Sequence, residues 1–269
     1  LIPSPLLLSK SIYMKESPNN HLWEKADSLK DAGMPKSALE IVSRIHQIAS
    51  LTKDPPEFVK AILYDIRLRS EFEEDHLENS ITKLDAYIKQ ADMPAFSVLH
   101  SIQAELYFRY FSANRHIILD RTTLIGEPGS DLKTWDATAI LTRAAFHYLE
   151  SVKDTDELKK TPAGYFSIIL DEKEESRIYR PALFDLMGHR ALDFFMNPQA
   201  SLIQPHDPLS LNKDIHFAEA TVFANTAHVR PDLLSFNYQS LELFRKLIGF
   251  HLHDTSPLAL IDVDIKRLQ

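Results

Sequence analysis

From Trp23 to Phe111 the apolar residues recur every three or four positions, in blocks of similar length separated by short breaks rich in Pro and Gly. That spacing lays one apolar stripe along a helix, so the stretch predicts a series of amphipathic helices. The clearest pair spans 20–31 and 35–51. Its second helix carries Ala38, Ile41/Val42, Ile45 and Ile48/Ala49 on one face. Gly33 suits the position just past a helix end, and Pro35 suits the first turn of the next. Asp54-Pro-Pro-Glu57 opens a third helix, with Asp54 as N-cap and Glu57 placed as the acid of a capping box. Asp75-His-Leu-Glu78 repeats that logic for a fourth, running through Ile81, Leu84 and Ile88. Met93-Pro94 starts a longer fifth helix with Val98/Leu99, Ile102, Leu106 and Tyr110 on its stripe. Trp23, Leu39, Ile62 and Leu106 are expected in the seams between neighbours.

The second half is less regular. Leu119 to Lys133 holds Gly126, Pro128 and Gly129 and reads as a loop, after which Thr134 caps a helix through Ile140/Leu141 and Tyr148/Leu149. Asp154 to Glu175 is mixed, with a short apolar piece from Tyr165 to Leu170. Pro181 starts a helix that Asn197-Pro198 ends. A long connection follows to Asp214, then a helix over Ile215–Thr226. Another helix runs after Pro231 through Leu234, Leu241 and Ile248. A last one, capped by Ser256-Pro257, is still running at Gln269, which implies a longer native chain. The fold class expected is all-α: antiparallel helical hairpins stacked as a tetratricopeptide-like α-α superhelix. Residues 1–20 form an N-terminal extension and 21–269 the helical-repeat domain. Regular hairpins cover 21–118 and less regular helices 134–269. Such hairpins need neighbours, because one alone cannot bury its face.

Composition sharpens this. Six glycines are few for a fold built on tight turns or phosphate loops, and favour helices. A net charge of −8 with scattered Lys and Arg argues against nucleic acid, which demands a basic stripe. The absence of cysteine removes disulfides, thiolate catalysis and Cys-based zinc sites, without fixing a compartment. No run of about 18 apolar residues is present, so no membrane-spanning segment is expected.

Candidate chemistry is sparse. His251-Leu-His253-Asp254 is the densest histidine group, but positions i and i+2 of a helix point to different sides. Imidazoles at a helix C-terminus outweigh a metal site there. The acidic run Glu71, Glu73, Glu74 and Asp75 reads as a solvated turn. Leu106-Tyr-Phe-Arg-Tyr-Phe111 reads as core, with Tyr107 or Arg109 available to a groove. Around the central loop stand Arg115, Arg121, Trp135 and Asp136. These are the candidate binding residues. A network that pins the loop is preferred for them over a ligand-binding corner, and Arg180 and His189-Arg190 carry the same pair of readings. No catalytic residue, cofactor site or metal site is expected, and the chain reads as non-enzymatic.

Several segments resemble the helical N-terminal region of the large alpha-2-macroglobulin family proteins of Bacteroidetes. They are Leu22-Trp-Glu-Lys-Ala-Asp-Ser-Leu29, Gly33-Met-Pro-Lys-Ser-Ala-Leu39 and Leu106-Tyr-Phe-Arg-Tyr110, then Asn114-Arg115 and Arg121-Thr122. Thr134-Trp-Asp136, Arg180-Pro181 and His189-Arg-Ala-Leu-Asp-Phe-Phe195 complete the set. The likeness covers most of 21–196. It implies the leading helical module of a long protease-inhibitor-type protein, periplasmic or associated with the outer membrane. The partner it implies is protein: other domains of the same chain, or a peptide. The thioester motif of the family needs a cysteine, so trapping would not be performed by these residues. The alternative is a free-standing, cytoplasmic, tetratricopeptide-like adaptor that binds peptide segments.

Overall fold

A computed structural model describes residues 19–122, 126, 128–171, 174–202, 209–228 and 235–269. The N-terminal extension therefore lies outside the described residues except for Asn19 and Asn20. So do Pro231 and Leu234 of the expected later helix. The chain is all-helical, and among the described residues the only extended pairing is an isolated antiparallel bridge between Pro162 and Ala182. No helix is long and apolar enough to cross a membrane among the described residues. By packing, the chain divides into two compact units: Leu1–Leu99 with Gly164–Lys173, and His100–Ala163 with Glu174–Gln269.

The first unit contains α1 (Asn20–Asp31), α2 (Pro35–Thr52), α3 (Pro55–Arg69), α4 (His76–Ile88) and the start of α5 (Ala95–Ala113). Here α1 packs on α2, α2 on α3, and α3 on α4. The turn after α1 works as its sequence dictates. Gly33 adopts φ +74°, its N–H bonds the Lys30 carbonyl at 2.9 Å, and the Met34 N–H bonds Leu29 at 2.9 Å. This closes the orphan carbonyls of α1 and turns the chain into Pro35 at the start of α2. Leu22, Trp23, Ala26, Ala38, Ile41, Val42, Ile45, Ala61 and Leu68 form one apolar cluster. Trp23, Ile62 and Leu106 are buried as expected, whereas Leu39 is only half-buried and flanks the cluster. Position 39 lies about 100° around the helix from Ala38, which puts it beside the stripe that faces α1 and α3. Asp54 caps α3, accepting from the Glu57 N–H at 3.2 Å. Asp75 occupies the N-cap position of α4, but its side chain makes no capping bond.

The second unit holds the rest of α5, α6 (Arg115–Leu119), α7 (Ala137–Ser151), α8 (Thr155–Lys160) and α9 (Leu183–Phe195). It ends with α10 (Ala220–Ala224), α11 (Phe236–His251) and α12 (Leu258–Arg267). Its centre is α9, of which every residue but Asp193 is buried, and which packs on α7, α8 and α11. Its buried Asp185, His189 and Arg190 therefore need partners inside the unit. Gly188 permits the approach of α11, since a Cβ there would stand 3.0 Å from a Leu247 methyl.

Several expectations about boundaries change. The expected loop of 119–133 is shorter, because α6 covers Leu119 and a 3-10 turn covers Leu132–Thr134. Asp136, not Thr134, caps α7, because its carboxylate accepts from the Ala139 N–H at 2.8 Å. The expected helix over 215–226 is broken into a 3-10 turn at Asp214–Phe217 and α10. The guanidinium of Arg267 explains the break. It donates to the carbonyls of His216 and Ala218 at 2.6 and 2.9 Å, taking both away from helical partners.

Candidate functional site

Of the four residues singled out around the central loop, three come together. Arg121 is half-buried and donates to the Trp135 carbonyl at 2.6 Å. Trp135 is buried, stacks on Tyr107 with centroids 6.0 Å apart, and donates from Nε1 to the Gly129 carbonyl at 2.7 Å. Asp136 is buried as the N-cap of α7. Arg115, on the first turn of α6, is exposed. These contacts bind loop backbone to helices, as an irregular segment requires of its neighbours.

Behind Trp135 lies a buried aromatic row. Tyr107 stacks on His147 at 5.6 Å, and the Nδ1 atoms of His147 and His100 stand 2.9 Å apart. One Nδ1 must donate and the other accept, so a single proton lies between these two nitrogens. Burial pushes both down, His100 to about 4, while burial and the adjoining His100 hold His147 at about 3. Both are therefore neutral near pH 7.

Several other charged groups of the second unit pair with one another. Arg190 is buried, donates from Nε to Ser101 Oγ at 2.7 Å and pairs with Glu105 at 2.5 Å; Glu105 also binds Arg109. Arg180 donates to Asp262 at 3.1 Å, and His189 Nε2 stands 3.6 Å from the same carboxylate. Burial and the Arg180 charge hold His189 at about 2. His251 is flanked on both sides, by Asp185 at 2.7 Å and by Asp254 at 2.6 Å. His253, its neighbour in the motif, is exposed. No group of three or more His, Asp or Glu poised for a metal ion is present among the described residues.

In the first unit the sequence misread Glu57. Its carboxylate does not complete a capping box; it accepts from Trp23 Nε1 at 2.8 Å, a residue 34 positions away. The ammonium of Lys60 lies 4.0 Å from the Trp23 ring centroid. Burial lowers the Lys60 pKa, against the pull of Glu57 and Asp27. Glu73 of the acidic run binds Arg69 and Asn79.

One opening among the described residues is a cleft of about 150 Å³ between α2, α3 and α4. Ser43, His46 and Gln47 of α2, Asp65 of α3 and Tyr87 of α4 supply its polar lining. Asp65 is already engaged, by Arg69 at 2.8 Å and Lys83 at 2.7 Å. The Nε2 atom of His46 is buried and has no hydrogen-bond partner, and burial together with Lys83 keeps the ring neutral. Sequence reasoning missed this site because Ser43 and Gln47 sit on the polar side of α2 and look like ordinary surface. With about the volume of five liquid waters, the cleft admits one side-chain head group. No family model matches the chain, and neither a curated protein nor a solved structure matches it.

Proposed function

We propose that this chain is a non-enzymatic helical interaction or spacer module. Its helices stack as tetratricopeptide-like hairpins, and it leads a larger envelope-associated protein of the alpha-2-macroglobulin type. The observation that supports this is the use made of the chain's functional groups. Trp23 with Glu57, Arg190 with Glu105, and His251 with Asp185 all join helices to one another. Many residues that carry the family resemblance, including Trp23, Ala38, Tyr107, Tyr110, Trp135, Arg190 and Phe195, occupy buried packing positions. Such a module presents a fixed surface to protein partners, first of all to domains of its own chain. A second reading, a free-standing peptide adaptor, draws on the α2–α3–α4 cleft and the unsatisfied His46 nitrogen. The extent of the reading frame separates the two. A long continuation encoding macroglobulin-type β-sandwich domains, to which this fragment binds when they are supplied separately, is expected. A stop soon after Gln269 would sink the first reading and leave the second.

A further inference from the structure

His251 ends α11 with both ring nitrogens engaged: Nδ1 stands 2.6 Å from Asp254 Oδ2 and Nε2 stands 2.7 Å from Asp185 Oδ1. Ionised carboxylates only accept, and a neutral imidazole carries a single N–H. Both bonds together therefore require the imidazolium. We propose that His251 is a proton-held latch: its charged ring ties the turn after α11 to the first turn of α9, and loss of the proton frees that turn.

The two carboxylates are not equivalent. Asp185 is buried, and its second oxygen accepts from the Ala182 N–H at 2.9 Å, so it is fixed to the start of α9. Asp254 sits in the turn between α11 and α12 with its side chain 37% exposed. When one proton leaves, the one that stays serves Asp185, which has no water to replace it. Asp254 then faces a ring lone pair and turns to solvent.

The surroundings leave the two carboxylates in control. From α9 come Asp185 and His189, and the latter is neutral. From α12 comes Asp262, held by Arg180. Helix α10 carries no charged residue. From α8, Lys159 lies 5.2 Å from the Phe250 ring, and that ring lies 4.5 Å from the His251 ring. Burial pushes the His251 imidazolium toward losing its proton, and the bonds and charges of Asp185 and Asp254 more than offset this, raising its pKa above the usual histidine value. The latch is therefore closed at and below the ordinary histidine range and opens as pH rises through the raised value.

The test uses the 269-residue chain. Nitrogen NMR of His251 should show both ring nitrogens protonated at neutral pH. Amide exchange, corrected for its intrinsic pH dependence, should show protection of Leu252–Ser256 falling roughly tenfold across the His251 titration. Protection of α9 should hold. Asp254→Asn should move the transition to lower pH, and His251→Gln should abolish it. Should His251→Gln fail to fold, the exposed-side variant Asp254→Asn still decides. A singly protonated ring at neutral pH, or turn protection that does not follow the His251 titration, overturns the latch.

Discussion

Each unit of this protein contains one tryptophan, and the two are held by different means. Trp23 in the first unit and Trp135 in the second are both buried, and each has a cation over its ring, Lys60 at 4.0 Å and Arg143 at 5.7 Å. The indole N–H of Trp23 bonds a carboxylate on a neighbouring helix, whereas that of Trp135 bonds the carbonyl of Gly129. In the first unit the helices satisfy their own backbone, and side chains are free to join helix to helix. In the second, irregular segments leave carbonyls open, and Arg121, Trp135 and Arg267 are spent on them. Irregular backbone thus draws polar side chains inward, and the buried histidines of the described residues, His100, His147, His189, His216 and His251, lie in the same unit.

The largest expected contrast is in acid. His100, His147 and His189, at about 4, 3 and 2, all belong to the second unit. A depressed folded-state pKa means that the unfolded chain takes up protons first. The stability from these groups is full above the ordinary value near 6.5 and falls as pH drops below it. The slope is about 1.4 kcal/mol per pH unit for each histidine, or about 4 for three. The first unit has His46 as its depressed histidine. Urea melts of Trp23→Phe and Trp135→Phe, each leaving one reporter, should show the Trp135 signal losing stability faster between pH 6.5 and 4.5. Parallel losses would break the contrast.

Next in size is Trp23→Ala. Loss of a buried indole costs about 3–5 kcal/mol in transfer and cavity terms, and here it also strands Glu57 without its donor. Urea unfolding of this variant, followed by far-UV circular dichroism and by the remaining Trp135 fluorescence, should show a larger shift in the dichroism. An equal shift in both would mean that the two units unfold as one block.

How much of this was legible beforehand depends on range. The Gly33 turn, the Asp54 cap and the Ala38–Ile45 stripe are local patterns, and the sequence carries them openly. Glu57 was misassigned because the capping-box motif is local while its partner, Trp23, is 34 residues distant. The link from His251 to Asp185 spans 66 residues, and no period along either helix encodes it. The break before α10 needs Arg267, which lies in the last helix. Around the central loop, Arg121 and Trp135 hold backbone carbonyls, and Arg115 stays outside.

The smallest effect tests the same contrast at a single cap. Asp54 and Asp136 perform one task in the two units, each accepting from the N–H three residues on, at 3.2 and 2.8 Å. Replacing an N-cap Asp with Ala costs typically about 1 kcal/mol, within about 0.5–2. Asp54 is half-buried, so water can take over part of its role, and Asp54→Ala should fall at the low end. Asp136 is 5% exposed and follows the carbonyl that Arg121 holds, so Asp136→Ala should reach the high end. Denaturation midpoints of the two alanine variants measure the difference. Asp136→Asn separates cap from charge, because asparagine caps a helix as well as aspartate does. Recovery of most of the loss assigns Asp136 to its α7 N–H groups. An Asn variant as weak as the Ala variant would mean that the charge itself is needed in this corner. A larger cost at Asp54 than at Asp136 would reverse the view that the second unit depends more on its buried polar groups.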